Sequence, residues 1–107
     1  MFVARAKLDA AILSELKRRV AELRGRSREE LVELPEWRSE KTTVLGKVVT
    51  YTVYRHHQPD GTLMILVRSD KPIFFGIGTA GTTNGFFVLP NGARRDACGD
   101  EIADYFG

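Results

Sequence analysis

Gln58-Pro59-Asp60-Gly61 sits between two β-rich runs, Lys47 to His57 and Leu63 to Val67, and it fixes more of this chain than any other feature. Pro59 presets φ for the first corner of a turn, Asp60 suits the second, and Gly61 accepts φ > 0. A type I turn with a bulged glycine sets the hairpin register. Val53 then faces Val67, Arg55 faces Ile65 and Tyr54 faces Leu66. Side chains alternate across a strand. One face therefore carries Val49, Tyr51, Val53, Leu63, Ile65 and Val67, which is the expected core face. The other carries Thr50, Thr52, Tyr54, His56, Met64, Leu66 and Arg68.

The cover for the core face is read from the N-terminal third. Leu13, Leu16, Val20 and Leu23, with Ile12 alongside, recur at helical spacing. Asp9 is expected to cap a helix from Ala10 to Arg24, with Leu8 and Leu13 as a hydrophobic staple and Gly25 just past its end. Ser27-Arg28-Glu29-Glu30 reads as a capping box for a short second helix, Arg28 to Glu33, which Pro35 terminates. Pro35 to Arg38 is expected to be a connector. Further strands are expected at Glu40 to Leu45, with a tight turn at Gly46, at Ile73 to Ile77, and in a last hairpin about Pro90-Asn91-Gly92. Asp70-Lys71-Pro72 reads as a turn and Gly78 to Gly85 as a Gly-rich loop. Asp100 is expected to cap a terminal turn with Ile102, Tyr105 and Phe106 on its apolar side. The expected fold class is α+β: an N-terminal helix and a short second helix packed on an antiparallel sheet of four to six strands. A chain of 107 residues is expected to form a single domain, 1–107.

Composition narrows the function classes without choosing one. The apolar share is 43%, ordinary for a globular protein. No apolar run reaches the ~18 residues that span a bilayer, so no membrane association is expected. Met1 to Lys7 is not followed by a clean apolar segment, which argues against a secretory leader. Cys98 is the one cysteine, which makes a cytoplasmic location the default expectation. Net charge is +2, distributed as +5 over Met1–Arg28, −4 over Glu29–Glu40, +5 over Lys41–Arg95 and −4 over Asp96–Gly107. Such blocks can pair within the fold without a partner.

Candidate chemistry is thin. Gly76-Ile77-Gly78-Thr79-Ala80-Gly81 matches G-x-G-x-x-G literally, but Thr82-Thr83-Asn84-Gly85 is a poor helix start and the βαβ repeats of a nucleotide fold are absent. No cofactor is expected. His56 and His57 are adjacent, so on a strand they point to opposite faces and cannot grip one metal; no metal site is expected. Cys98 has no cation closer in sequence than Arg95 to depress its thiol pKa. No catalytic residues are assigned.

The expected function is a non-catalytic protein-interaction module. Its partner is another protein or a second copy of itself. The candidate surfaces are the outer sheet face, Tyr54, His56, Met64, Leu66 and Arg68, and the Gly-rich loop, at Gly78, Gly81, Thr82 and Asn84. One alternative is a nucleic-acid-binding module using Tyr54, Arg55, Arg68, Lys71, Phe74, Arg94 and Arg95. Another is a small enzyme with a site near His56 and the Gly78–Gly85 loop.

Overall fold

The computed structural model describes residues 2–73 and 78–106, with side chains over residues 6–72 and 81–104. Five strands run as an antiparallel meander in the order β1-β2-β3-β4-β5. They are β1 (Trp37–Val44), β2 (Lys47–His57), β3 (Leu63–Ile73), β4 (Gly78–Val88) and β5 (Arg94–Asp96). The helices are α1 (Phe2–Arg24), α2 (Arg28–Val32) and α3 (Gly99–Phe106). This is an α+β fold with helices on an open antiparallel sheet.

The hairpin register follows from the turn chemistry. Val53 pairs with Val67, Tyr54 with Leu66 and Arg55 with Ile65. Gly61 has φ 91, its N–H donates to the Gln58 carbonyl at 3.0 Å, and the Thr62 N–H donates to Asp60 Oδ1 at 2.8 Å. The inner face of the sheet and the helices form one cluster. Val49, Tyr51, Leu63, Ile65, Val67, Phe86 and Val88 pack against Ile12, Leu16, Val20, Leu23 and Leu31. Ser27 caps α2: the Glu30 N–H donates to Ser27 Oγ at 3.2 Å, and Ser27 Oγ donates to Glu30 Oε1 at 3.3 Å. Arg28 and Arg55 tie α2 to the sheet by donating to the carbonyls of Gly61 (2.9 Å) and Leu34 (2.7 Å).

Four expectations need correction. Asp9 does not cap α1, which begins at Phe2; it lies inside the helix and pairs with Lys71 of β3. No helix breaker stands between Phe2 and Arg24, so a capping residue type alone could not start a helix there. Leu13 is 40% exposed while Ile12 is buried, so the buried stripe runs through Ile12, Leu16 and Val20 at i,i+4 and ends at Leu23. Trp37 and Arg38 are not connector but the first pairs of β1, opposite Tyr54 and Val53.

The fourth concerns Asp70–Pro72 and Gly78–Gly85, which are strand. They pair across β3 and β4 from Asp70↔Gly81 to Ile73↔Gly78. Pro72 is tolerated because it lies beyond the last β2–β3 pair, Thr50↔Asp70, where β3 has a neighbour on one side only. The expected strand Ile73 to Ile77 falls at Ile73 within β3, and its remaining residues lie outside the described ones.

The β1–β2 turn supplies a test. Val44 pairs with Lys47, leaving Leu45 and Gly46 as a two-residue loop with φ 47 and 81. Both corners of a type I′ turn need φ > 0, and a leucine there costs roughly 1–2 kcal/mol. Leu45 is 65% exposed, so its side chain contributes little burial in return. Leu45→Asn is expected to stabilise by about 1 kcal/mol, because asparagine tolerates the left-handed region. Thermal melting should show a rise of several degrees; a fall would mean that the Leu45 side chain contributes packing.

Candidate functional site

The register places Tyr54, His56, Met64, Leu66 and Arg68 on one face, opposite the α1 side of the sheet. Tertiary packing then divides that face. Met64 (3% exposed), Leu66 (0%) and Phe87 form a second small core, with Tyr54, Ala97 and Ile102 packed against it. Met64 and Leu66 are therefore interior residues of this fold and not surface anchors. Tyr54 and Arg68 are half-buried, and His56 is exposed.

The cover over Met64 and Leu66 comes from the C-terminal segment. The Ala97 N–H donates to the Gly85 carbonyl at 3.1 Å. Arg95 lies over the Phe87 ring, 4.4 Å from its centroid, and donates to both Glu101 carboxylate oxygens at 2.9 Å. The Cys98 N–H donates to Glu101 at 3.1 Å, so the carboxylate both pairs with β5 and caps the first turn of α3. The Arg95 guanidinium, followed by the Cys98 N–H, lowers the Glu101 pKa to about 2. A carboxylate whose folded-state pKa is depressed contributes stability above its unfolded pKa and loses it as pH falls. The attachment of α3 is thus expected to weaken between about pH 4.5 and about 2. Acid titration followed by hydrogen exchange of the α3 amides should show this. Glu101→Gln should leave those amides less protected at neutral pH and insensitive to pH over that window.

Among the described residues, no side chain covers the other half of the face. Trp37 is 64% exposed on β1, opposite Tyr54. Ser39 Oγ and the buried Thr52 Oγ1 lie 2.9 Å apart in a hydrogen bond, and Arg68 Nε donates to Asp70 at 3.0 Å. Val48, 52% exposed, lies on the same face near the Leu45–Gly46 turn, beyond the polar pairs Ser39↔Thr52 and Lys41↔Thr50. β1 is also an edge of the sheet. The Arg55 N–H donates to the Glu36 carbonyl at 2.9 Å. By antiparallel alternation the even-numbered residues of β1 bond to β2, so the N–H and C=O of Trp37, Ser39, Lys41 and Thr43 point away from the sheet.

Trp37 is the residue that sequence reasoning missed. The signal was present: after Pro35 no breaker interrupts Glu36 to Val44, and Trp37, Ser39, Lys41 and Thr43 alternate with Arg38, Glu40 and Thr42.

The Gly-rich segment is not a loop. Gly78, Gly81, Thr82 and Asn84 all belong to β4. Gly81 lies beneath Arg68 and Asp70, where a Cβ would come within 2.6 Å of the guanidinium. Thr82 lines a cavity of about 330 Å³ with Asp9, Ile12, Leu13, Ser69 and Lys71, between α1 and the β3–β4 hairpin. The charges there are the paired Asp9 and Lys71, and Ser69 Oγ donates to the Thr82 carbonyl at 3.4 Å. Asn84 Oδ1 accepts from the Gly85 N–H at 2.8 Å. His56 pairs with Met64 and Gly81 with Asp70, six residues further along β3. At about 3.3 Å per residue they are roughly 20 Å apart and do not converge on one reacting centre. Among the described residues no three His, Cys, Asp or Glu side chains gather to hold a metal, and no helix is long and apolar enough to cross a membrane.

In comparison with known proteins, the chain matches no family model, no curated protein and no solved structure.

Proposed function

We propose that this chain is a non-catalytic protein-interaction module of the cytoplasm. Its contact surface is the uncovered half of the outer sheet face together with the free edge of β1. The observation that carries this is Trp37, a tryptophan 64% exposed on the edge strand of the sheet beside the half-buried Tyr54. Tryptophan, tyrosine and arginine dominate binding energy at protein interfaces, and Trp37, Tyr54 and Arg68 share this surface. An exposed edge strand adds backbone hydrogen bonds to whatever lies against it.

Trp37→Ala is the discriminating variant. Tyr54 packs on the second core, so its removal mixes binding with stability; Trp37 does not belong to either core cluster. Wild-type and Trp37→Ala chains, matched by circular dichroism melting, are used to capture proteins from native lysate with and without nuclease. The expected result is capture that survives nuclease and is lost with Trp37→Ala. Equal capture by both chains would sink this surface. Partners that vanish with nuclease would move the reading to nucleic acid.

A further inference from the structure

β1 is a long, regular edge whose protection is charge alone, at Arg38, Glu40 and Lys41. It pairs with β2 in continuous register from Trp37↔Tyr54 to Val44↔Lys47, with no bulge and no proline inside it. Its residues 37–41 are all exposed. Edge strands are blunted by bulges, prolines, covering segments or charges, because free N–H and C=O groups template further pairing; charges that a partner strand can complement do not block it.

We propose that the partner of this edge is a second copy of the same chain, paired β1 to β1 antiparallel about a two-fold axis at Ser39, so that two sheets become one. This rests on the interaction-module reading above and names its occupant. The strand's own charges select the register. Both copies present the same faces across such an axis, so odd-numbered residues must meet odd and even must meet even. An axis at Arg38, Glu40 or Lys41 sets each of those charges against its own copy, and like charges directly opposite are destabilising. An axis at Trp37 runs the pairing into Pro35, which supplies no N–H. An axis at Thr42 or beyond leaves Arg38 and Glu40 without each other.

The axis at Ser39 does the reverse. Arg38 meets the partner's Glu40, and Glu40 meets the partner's Arg38, on the α1 side. Trp37 meets the partner's Lys41 on the outer side, a cation beside an indole face. The backbone agrees: Trp37, Ser39 and Lys41 are the residues whose N–H and C=O point outward, and this register joins Ser39 to the partner's Ser39 and Trp37 to the partner's Lys41. Glu40 already accepts from Arg19 at 3.1 Å through one oxygen, which holds it ionised and leaves its second oxygen for an incoming guanidinium.

The test is charge exchange between copies. Sedimentation velocity is run on the wild-type chain, on Arg38→Glu, on Glu40→Lys, and on an equimolar mixture of the two variants, each verified as folded by circular dichroism. Wild type is expected to dimerise. Each variant alone opposes like charges at both cross-strand pairs and should dimerise at least about tenfold more weakly, which is about 1.4 kcal/mol. The mixture should recover wild-type affinity, because each variant supplies the charge the other has lost. Arg38→Glu with Glu40→Arg in one chain should also dimerise like wild type, which covers the case in which a single variant folds poorly. A monomeric wild type overturns the proposal, as does a dimer indifferent to these charges or a mixture that stays monomeric. If any of these occurs while Trp37→Ala still abolishes capture of another protein, the self-pairing falls and the interaction-module reading stands.

Discussion

Gly85→Ala is expected to destabilise the fold at or above the upper end of the roughly 1–3 kcal/mol usual for overpacking. A Cβ built at Gly85 would lie 2.2 Å from the Ile65 carbonyl oxygen, 2.7 Å from Leu66 Cδ2 and 2.9 Å from Leu66 Cα. Two of those atoms are backbone of the fully buried centre of β3, which cannot turn aside as a flexible side chain would. Relief would require β3 and β4 to separate where Ile65↔Phe86 and Leu66↔Gly85 pair. The Gly85 carbonyl also accepts the Ala97 N–H, so the same shift would loosen the C-terminal cover over Met64 and Leu66. Urea unfolding should show a large fall in midpoint. Thr83→Ala, two residues along on the same face and half-buried, should show little. An unchanged midpoint for Gly85→Ala would mean that the two strands do not approach this closely.

Leu16→Ala is expected to cost about 2–5 kcal/mol. Leu16 is 0% exposed and belongs to the cluster of α1 with Tyr51, Ile65 and Phe86, so truncation leaves a void that its neighbours cannot fully close. Lys17, the next residue, is exposed, and Lys17→Ala should change stability by a few tenths of a kcal/mol at most. Comparable losses for the two would mean that α1 presents a different face to the sheet.

How far the sequence could be read depended on whether a feature was local. The outer-face set was correct as a set, since Tyr54, His56, Met64, Leu66 and Arg68 do share a face. Its use as a surface was not legible. Whether Met64 and Leu66 meet solvent depends on where residues some thirty positions later come to rest, and Ala97 and Ile102 settle over them. Trp37 was overlooked because the proline before it suggested a connector, while its place opposite Tyr54 is fixed by pairing back from the Leu45–Gly46 turn. The Gly78–Gly85 stretch misled for a related reason. Glycine and asparagine are depleted in strands on average and hid the strand preference of the threonines between them, but strand formation depends on what lies across the ladder. Here Arg68 and Asp70 occupy the space above Gly81, and Leu66 with the β3 backbone fills the space at Gly85.

By itself, the sequence determined the β2–β3 register, the capping of α2, the helical stripe through Leu16, Val20 and Leu23, and the α+β class. Each is set by the φ/ψ demands of a few adjacent residues or by a short apolar period, and so can be read along the chain. Tertiary structure alone decided that β3 and β4 extend through Asp70–Ile73 and Gly78–Asn84, that α3 packs on one half of the outer face, and that Trp37 is exposed on the edge strand β1. Those outcomes come from contacts between residues far apart in sequence, where packing overrides the weak local preferences of the residues involved.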